Sequence, residues 1–151
     1  MRVTNPEIIR SITKEWKGSR DANGRPLVPD DILKRMTLVT TEEAWGTCRR
    51  NGYHFQFTGD WLNLHPERVI VGRAVTCRWV PTRPDIHSSL IKQGEEDNRI
   101  GGQNSWVIDE LEPNDLIVVD LFGKVFNGTF AGDNLATAIK SRSGTGMVID
   151  G

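Results

Sequence analysis

The feature that most constrains this chain is the unbroken apolar run Leu116-Ile117-Val118-Val119, closed by Asp120. Such a short, continuous β-branched run reads as a strand covered on both faces, the usual state of a strand inside a parallel sheet. Met147-Val148-Ile149-Asp150 repeats the pattern. Between them, Gly132-Asp133-Asn134 opens a helix with Leu135, Ala136, Ala138 and Ile139 on its apolar side. Lys140 and Arg142 sit near the negative end of its dipole, and Ser143-Gly144 closes it. Val125 to Phe130 places Asn127-Gly128 between β-prone pairs, which predicts a small hairpin. Residues 116 to 150 therefore read as strand, hairpin, helix, strand, and the fold class as α/β.

The upstream half supplies helices and one more strand. Asn5-Pro6-Glu7 provides a cap, a helix-starting proline and an acidic first turn, so a helix is expected from 6 to about 17 with Ile8, Ile9, Ile12 and Trp16 on one face. Residues 18 to 29 read as a loop, and a short helix carrying Ile32, Leu33 and Met36 follows. Thr40-Thr41-Glu42-Glu43 fits a capping box for a third helix, with Ala44, Trp45 and Cys48 as a buried stripe and Asn51-Gly52 as its stop. Val69 to Val80 is long and β-branched, a strand in which Gly72 suggests a bulge. Residues 81 to 105 show two prolines, a helical turn over His87 to Ile91, and a Gly-rich stretch ending in Gly101-Gly102.

Composition narrows the function. With 19 basic against 20 acidic residues, the net charge is -1, so no long-range field draws phosphate backbones or anionic lipid, and nucleic acid is not an expected partner. No apolar run approaches the ~18 residues that cross a bilayer, and MRVTNPEIIR lacks the apolar stretch of a secretion signal. No membrane association and a cytoplasmic location are expected. Cys48 and Cys77 are too few for a disulfide framework and read as reduced thiols. His54, His65 and His87 share no ligand spacing, and Trp45, Trp61, Trp79 and Trp106 read as core or subunit-contact aromatics.

Ligands of open α/β sheets bind beyond the carboxyl ends of the strands. Asp120 and Asp150 end their strands and Asp133 begins the helix between them. Carboxylates would then lie near the free amides of the Gly132 to Leu135 turn, a place suited to an anion and a divalent cation. Spacing alone allows plainer roles: Asp133 or Asn134 as an N-cap, and Asp120 and Asp150 as strand-end turn residues. Arg73, Arg78 and Arg83 would serve a distant carboxylate only if a bulge brought Arg73 and Arg78 to the same side of their strand.

Three stretches carry a resemblance: Glu112 to Asp120, Gly132-Asp133-Asn134-Leu135-Ala136, and Gly144-Thr145-Gly146-Met147-Val148-Ile149-Asp150-Gly151. Together they resemble the family of the regulator of ribonuclease activity A and 4-hydroxy-4-methyl-2-oxoglutarate aldolase (RraA-like). Gly72-Arg73-Ala74-Val75-Thr76 is similar to that family's earlier strand, and the similarity runs over roughly 38 to 151.

The resemblance implies a swivelling β/β/α domain over 38–151 after an N-terminal helical extension over 1–37, assembled as a homotrimer or hexamer. It further implies a lyase that cleaves 4-hydroxy-2-oxo acids to pyruvate with Mg²⁺ or Mn²⁺ and also decarboxylates oxaloacetate. Asp133 would be the first aspartate of the family motif and a catalytic residue, and Gly132, Asn134 and Leu135 would bind the small 2-oxo acid substrate. The motif continues, after twenty intervening residues, with an Arg-Asp pair that contacts substrate and metal. Counting from Asp133 puts that pair at positions 154 and 155, past Gly151, so the metal ligands are unassigned. The domain therefore reads as truncated, and the 151-residue chain alone is expected to be inactive. The same resemblance covers non-catalytic regulators that bind a ribonuclease or another protein, which is the alternative reading.

Overall fold

Three parallel strands carry the architecture in this computed structural model, which describes residues 5–151. The first four residues of the expected extension lie outside the described residues. The chain divides into two compact units, one formed by residues up to 28 together with 72–151, the other by 29–71.

In the first unit, β1 (Arg73–Arg78), β2 (Asp115–Asp120) and β3 (Met147–Asp150) form a sheet of order β1-β2-β3. Arg73 pairs with Asp115 and Arg78 with Asp120 in register, while Ile117 pairs with Met147 and Asp120 with Asp150. Ile117 and Val119 are buried on one face, together with Ile108, Leu111, Leu121, Phe130 and Ile139. Val75, Cys77, Met147 and Ile149 pack against that cluster from the neighbouring strands, as strict two-residue alternation requires. The expectation that Leu116 to Asp120 is covered on both faces does not hold. Leu116 and Val118 are half-buried, and Ala74 and Thr76 are exposed beside them. An apolar run shows that a strand is apolar, but whether a layer covers each face depends on the rest of the fold.

Helix α1 (Pro6–Ile12) starts as the Asn5 cap predicts, the Asn5 side chain accepting from Glu7 N–H at 2.9 Å. It ends earlier than expected. Arg20 takes the Thr13 hydroxyl at 2.7 Å and the Thr13 carbonyl at 2.6 Å, binding the chain into a turn where a longer helix would have continued. Its apolar face stays wet, with Ile12 74% exposed.

Helix α4 (Pro84–Glu96) extends well beyond the predicted turn, and α5 (Gln103–Asp109) was not predicted at all. Gly94 of α4 lies under Trp106 of α5, where a Cβ would collide with the indole. That close approach makes a small residue necessary and is not visible in either segment alone. Helix α6 (Asp133–Ser143) ends at Gly144 in the left-handed conformation, as expected for a C-terminal glycine. The hairpin predicted over Val125 to Phe130 is absent: residues 121–130 form turns, with Asn127 at φ 55° and Val125 and Phe126 exposed. Asn-Gly suits a hairpin only if the flanking pairs have partners, and here they have none.

Gly72 does not make a bulge. A Cβ there would meet the Leu116 side chain at 2.8 Å and the Asn114 carbonyl at 2.9 Å, so the glycine permits close approach of β1 to the start of β2.

The second unit holds α2 (Asp30–Met36) and α3 (Thr41–Arg50). The predicted capping box is complete: Glu43 N–H donates to Thr40 Oγ1 at 3.2 Å and Thr40 N–H donates to Glu43 Oε2 at 2.9 Å. The predicted stripe is not buried. Ala44 and Cys48 are half-buried, Trp45 is exposed, and Arg49 lies over the Trp45 ring at 5.5 Å. Residues 53 to 71 continue without helix or strand and leave Tyr53, Phe55, Phe57, Trp61, Leu62 and Leu64 exposed.

Candidate functional site

The carboxyl ends of the strands bring three charged residues into adjacent register. Arg78, Asp120 and Asp150 close β1, β2 and β3 side by side. All three alternate away from the buried Ile117 and Val119 face, so their side chains belong to the open side of the sheet. Asp120 is engaged locally. Its Oδ1 accepts Phe122 N–H at 2.7 Å and its Oδ2 accepts Arg78 Nε. The Phe122 amide first, and Arg78 second, hold the Asp120 carboxyl below its usual range.

Helix α6 reaches the same end from the other side. It packs on β2 and links the end of β2 to the start of the parallel β3, so its N-terminus lies at the carboxyl end of the sheet. Its N-cap is Gly132, with no side-chain cap, and Asp133 is the first helical residue. The plainer role of Asp133 or Asn134 as the capping side chain is thereby excluded. Gly132, Asp133 and Asn134 are exposed, Leu135 is half-buried toward the core, and a Cβ built on Gly132 would meet nothing within 4 Å. An uncapped, approachable turn of this kind presents amides and a positive dipole end to solvent.

Helix α5 runs alongside α6 in the same direction. Asn104 Nδ2 donates to the Phe130 carbonyl at 3.1 Å near the two N-termini, and Arg142 donates to the Asp109 carbonyl at 2.6 Å near the two C-termini. Trp79, the residue after β1, packs on Phe130 with ring centroids 5.9 Å apart. Around this corner, Trp79 Nε1 and Gln103 Nε2 are buried donors without an ordinary hydrogen-bond partner among the described residues. Burial pushes the neighbouring Cys77 thiol up, against a weaker downward pull from Trp79. The sequence marks Trp79 only as a core or subunit-contact aromatic and does not mark Gln103 at all. Gln103 lies in the stretch with the weakest periodicity, and an indole N–H carries no pattern of its own.

The structure brings Gly132, Asp133, Asn134 and Leu135 together at one helix start, but it does not gather the three acids. Among the described residues no group of three or more His, Cys, Asp or Glu side chains is placed to hold a metal ion. Asp120 and Asp150 share one sheet face while Asp133 starts the helix on the other. The described residues alone therefore do not fit a divalent cation. Arg73 and Arg78 also fall on opposite faces. Arg73 is directed to the Asp115 carboxylate and Arg78 to Asp120, and Arg83 pairs with its neighbour Asp85.

No helix among the described residues is long and apolar enough to cross a membrane. No curated protein and no solved structure matches the chain. The family model described as RraA-like, Aldolase/RraA, matches residues 42–151, the span that contains the whole sheet, the α6 turn and every residue of the candidate site. This chain belongs to the RraA-like family.

Proposed function

We propose that the carboxyl end of this sheet binds a small 2-oxo acid and that the protein acts as a lyase, cleaving 4-hydroxy-2-oxo acids to pyruvate and decarboxylating oxaloacetate. The family includes aldolases and regulators. The observation that supports the enzymatic reading is the uncapped Gly132 turn, open to solvent at the strand ends.

In this reading the Asn134 and Leu135 amides receive the substrate carboxylate, with Gly132 leaving room for its approach. Charge-assisted bonds to preorganised amides hold that group without reorganisation as negative charge develops on the departing enolate. Asp133 orients a water that removes the C4 hydroxyl proton, which places a carboxylate within reach of the bond that breaks.

Mg²⁺ or Mn²⁺ remains part of the proposal as a charge-stabilising cation. No cluster of three ligands for it stands among the described residues, and none of the steps assigned above to this chain's residues depends on it. The proposal also keeps the swivelling β/β/α arrangement over 38–151, an extension over 1–37, a homotrimer or hexamer, and a cytoplasmic setting without nucleic acid or membrane.

The test is pyruvate release from 4-hydroxy-2-oxo acids and oxaloacetate, with and without Mg²⁺ or Mn²⁺, by this chain and by one carrying an Arg-Asp pair at positions 154 and 155. Metal-dependent release by the longer chain, abolished by Asp133→Asn, is expected. No release from any of these substrates by the longer chain removes the enzymatic reading.

A non-catalytic regulator is the second reading, and one observation favours it. Phe55 is 98% exposed in a stretch that also exposes Tyr53, Phe57, Trp61, Leu62 and Leu64, the composition of a protein-binding surface. Ribonuclease inhibition by a chain that releases no pyruvate would support it.

A further inference from the structure

The sequence contains Asn-Gly three times, at Asn23-Gly24, Asn51-Gly52 and Asn127-Gly128. Asparagine is a thermolabile residue, and a following glycine exposes it most, because no Cβ hinders the glycine nitrogen as it approaches the asparagine side chain. That nitrogen must reach Cγ and lose its proton, so an N–H held in a hydrogen bond reacts only after the bond opens. The pair is the same at all three places, and the fold makes them different.

Gly24 is buried, and its N–H donates to the Asp21 carbonyl at 3.0 Å. Its carbonyl accepts from Arg20 at 2.8 Å, and Asp21 Oδ1 accepts Arg25 N–H at 2.8 Å. The Arg25 guanidinium in turn forks onto the buried Asp115 carboxylate at 3.1 Å and 2.9 Å. This turn is fastened on both sides of its Asn-Gly pair. At the end of α3, Gly52 N–H donates to the Arg49 carbonyl at 3.1 Å. Asn51 Nδ2, the group that would have to leave, donates to the Thr47 carbonyl at 2.9 Å. The third pair lacks every such tie. Asn127 and Gly128 are exposed, outside helix and strand, and among the described residues neither the Gly128 N–H nor the Asn127 side chain makes a hydrogen bond.

We propose that Asn127 is a site of spontaneous covalent modification, converted to aspartate and isoaspartate in the folded protein ahead of Asn23 and Asn51. The Gly128 nitrogen gives up its proton to solvent and bonds to Asn127 Cγ, the Cγ–Nδ2 bond breaks, and the side-chain nitrogen takes up a proton and leaves as ammonia. The cyclic imide that remains is opened by water at either carbonyl. One opening gives aspartate, and the other gives isoaspartate, whose side-chain methylene has entered the main chain. Both products place a new carboxylate in the segment that joins β2 to α6 and leads into the Gly132 turn.

The test incubates the full chain at mildly alkaline pH, folded and in urea, and follows each Asn-Gly peptide by mass spectrometry, with electron-transfer fragmentation to distinguish isoaspartate. In the folded chain Asn127 is expected to convert at least about fivefold faster than Asn23 or Asn51, the factor that the net free energy of one amide hydrogen bond supplies. In urea the three rates should converge. Asn127→Gln, whose longer side chain closes the ring poorly, should silence that peptide and leave the other two unchanged. Equal rates in the folded chain, a faster reaction at Asn23 or Asn51, or a silent Asn127 in a folded chain whose urea form reacts would each overturn the proposal. So would a preference for Asn127 that persists undiminished in urea, which would assign it to the neighbouring residues and not to the fold.

Discussion

The two ends of the β1–β2 ladder carry the same chemistry in different surroundings. Arg73 stands opposite Asp115 at one end and Arg78 opposite Asp120 at the other. At the amino end the carboxylate is fully buried and met by two guanidinium groups and an amide. At the carboxyl end the Arg78 side chain is 71% exposed and its partner pairs beside an open helix start. Identical residue pairs thus serve fixation at one end and leave charged groups available to solvent and ligand at the other. Burial decides which, because the cost of leaving a charge unpaired rises steeply as water is excluded.

The sharpest way to break this comparison is Asp115→Ala. It strands Arg25 and Arg73 without their carboxylate and is expected to cost about 3 to 5 kcal/mol, measured by urea unfolding. A loss under about 1 kcal/mol would place the amino end in the same class as an exposed surface pair. Gly72→Ala comes next, at about 1 to 3 kcal/mol, because a methyl group there runs into Leu116 and the Asn114 backbone. Thermal unfolding of that variant alongside a Gly123→Ala control would separate contact from backbone strain, since Gly123 has φ 66° and no neighbour within 4 Å.

Arg78→Ala should leave stability almost unchanged, since solvent screens the pair it removes. Its pH signature has a definite sign. The Asp120 carboxyl is lowered by the Phe122 amide and Arg78, so its small contribution is present above the ordinary aspartate value of 3.8 and is lost as pH falls below it. Acid titration followed by the Asp120 carboxyl resonance should show a higher midpoint in Arg78→Ala. The smallest effect is expected for Gly132→Ser, a gain of a few tenths of a kcal/mol as the new hydroxyl caps α6. If the turn amides bind substrate, the same change should weaken 2-oxo acid binding, and calorimetric titration with pyruvate would show it.

Elements defined by local rules were legible in advance. The Asn5 and Thr40 caps, the Gly144 stop, β2, β3 and α6 depend on neighbours within a few residues, and each stands where those neighbours place it. Burial was less legible. Ile12 and Trp45 have helical spacing suited to a core yet remain exposed, because no apolar layer packs over them. Helix α5 was missed because its packing signal lies in another segment, at Gly94, and the hairpin over Val125 to Phe130 failed because its pairs lack partners.

The sequence by itself determined the family, the strand-helix-strand order of the last third, and the Gly132 to Leu135 turn, since each is written in contiguous residues. Only the tertiary structure decided that Asp115 is buried against Arg25, ninety positions away, and that Asp133 stands apart from Asp120 and Asp150. The reason is physical: capping and periodicity act over one or two helical turns, whereas burial and charge pairing depend on which distant segment arrives opposite.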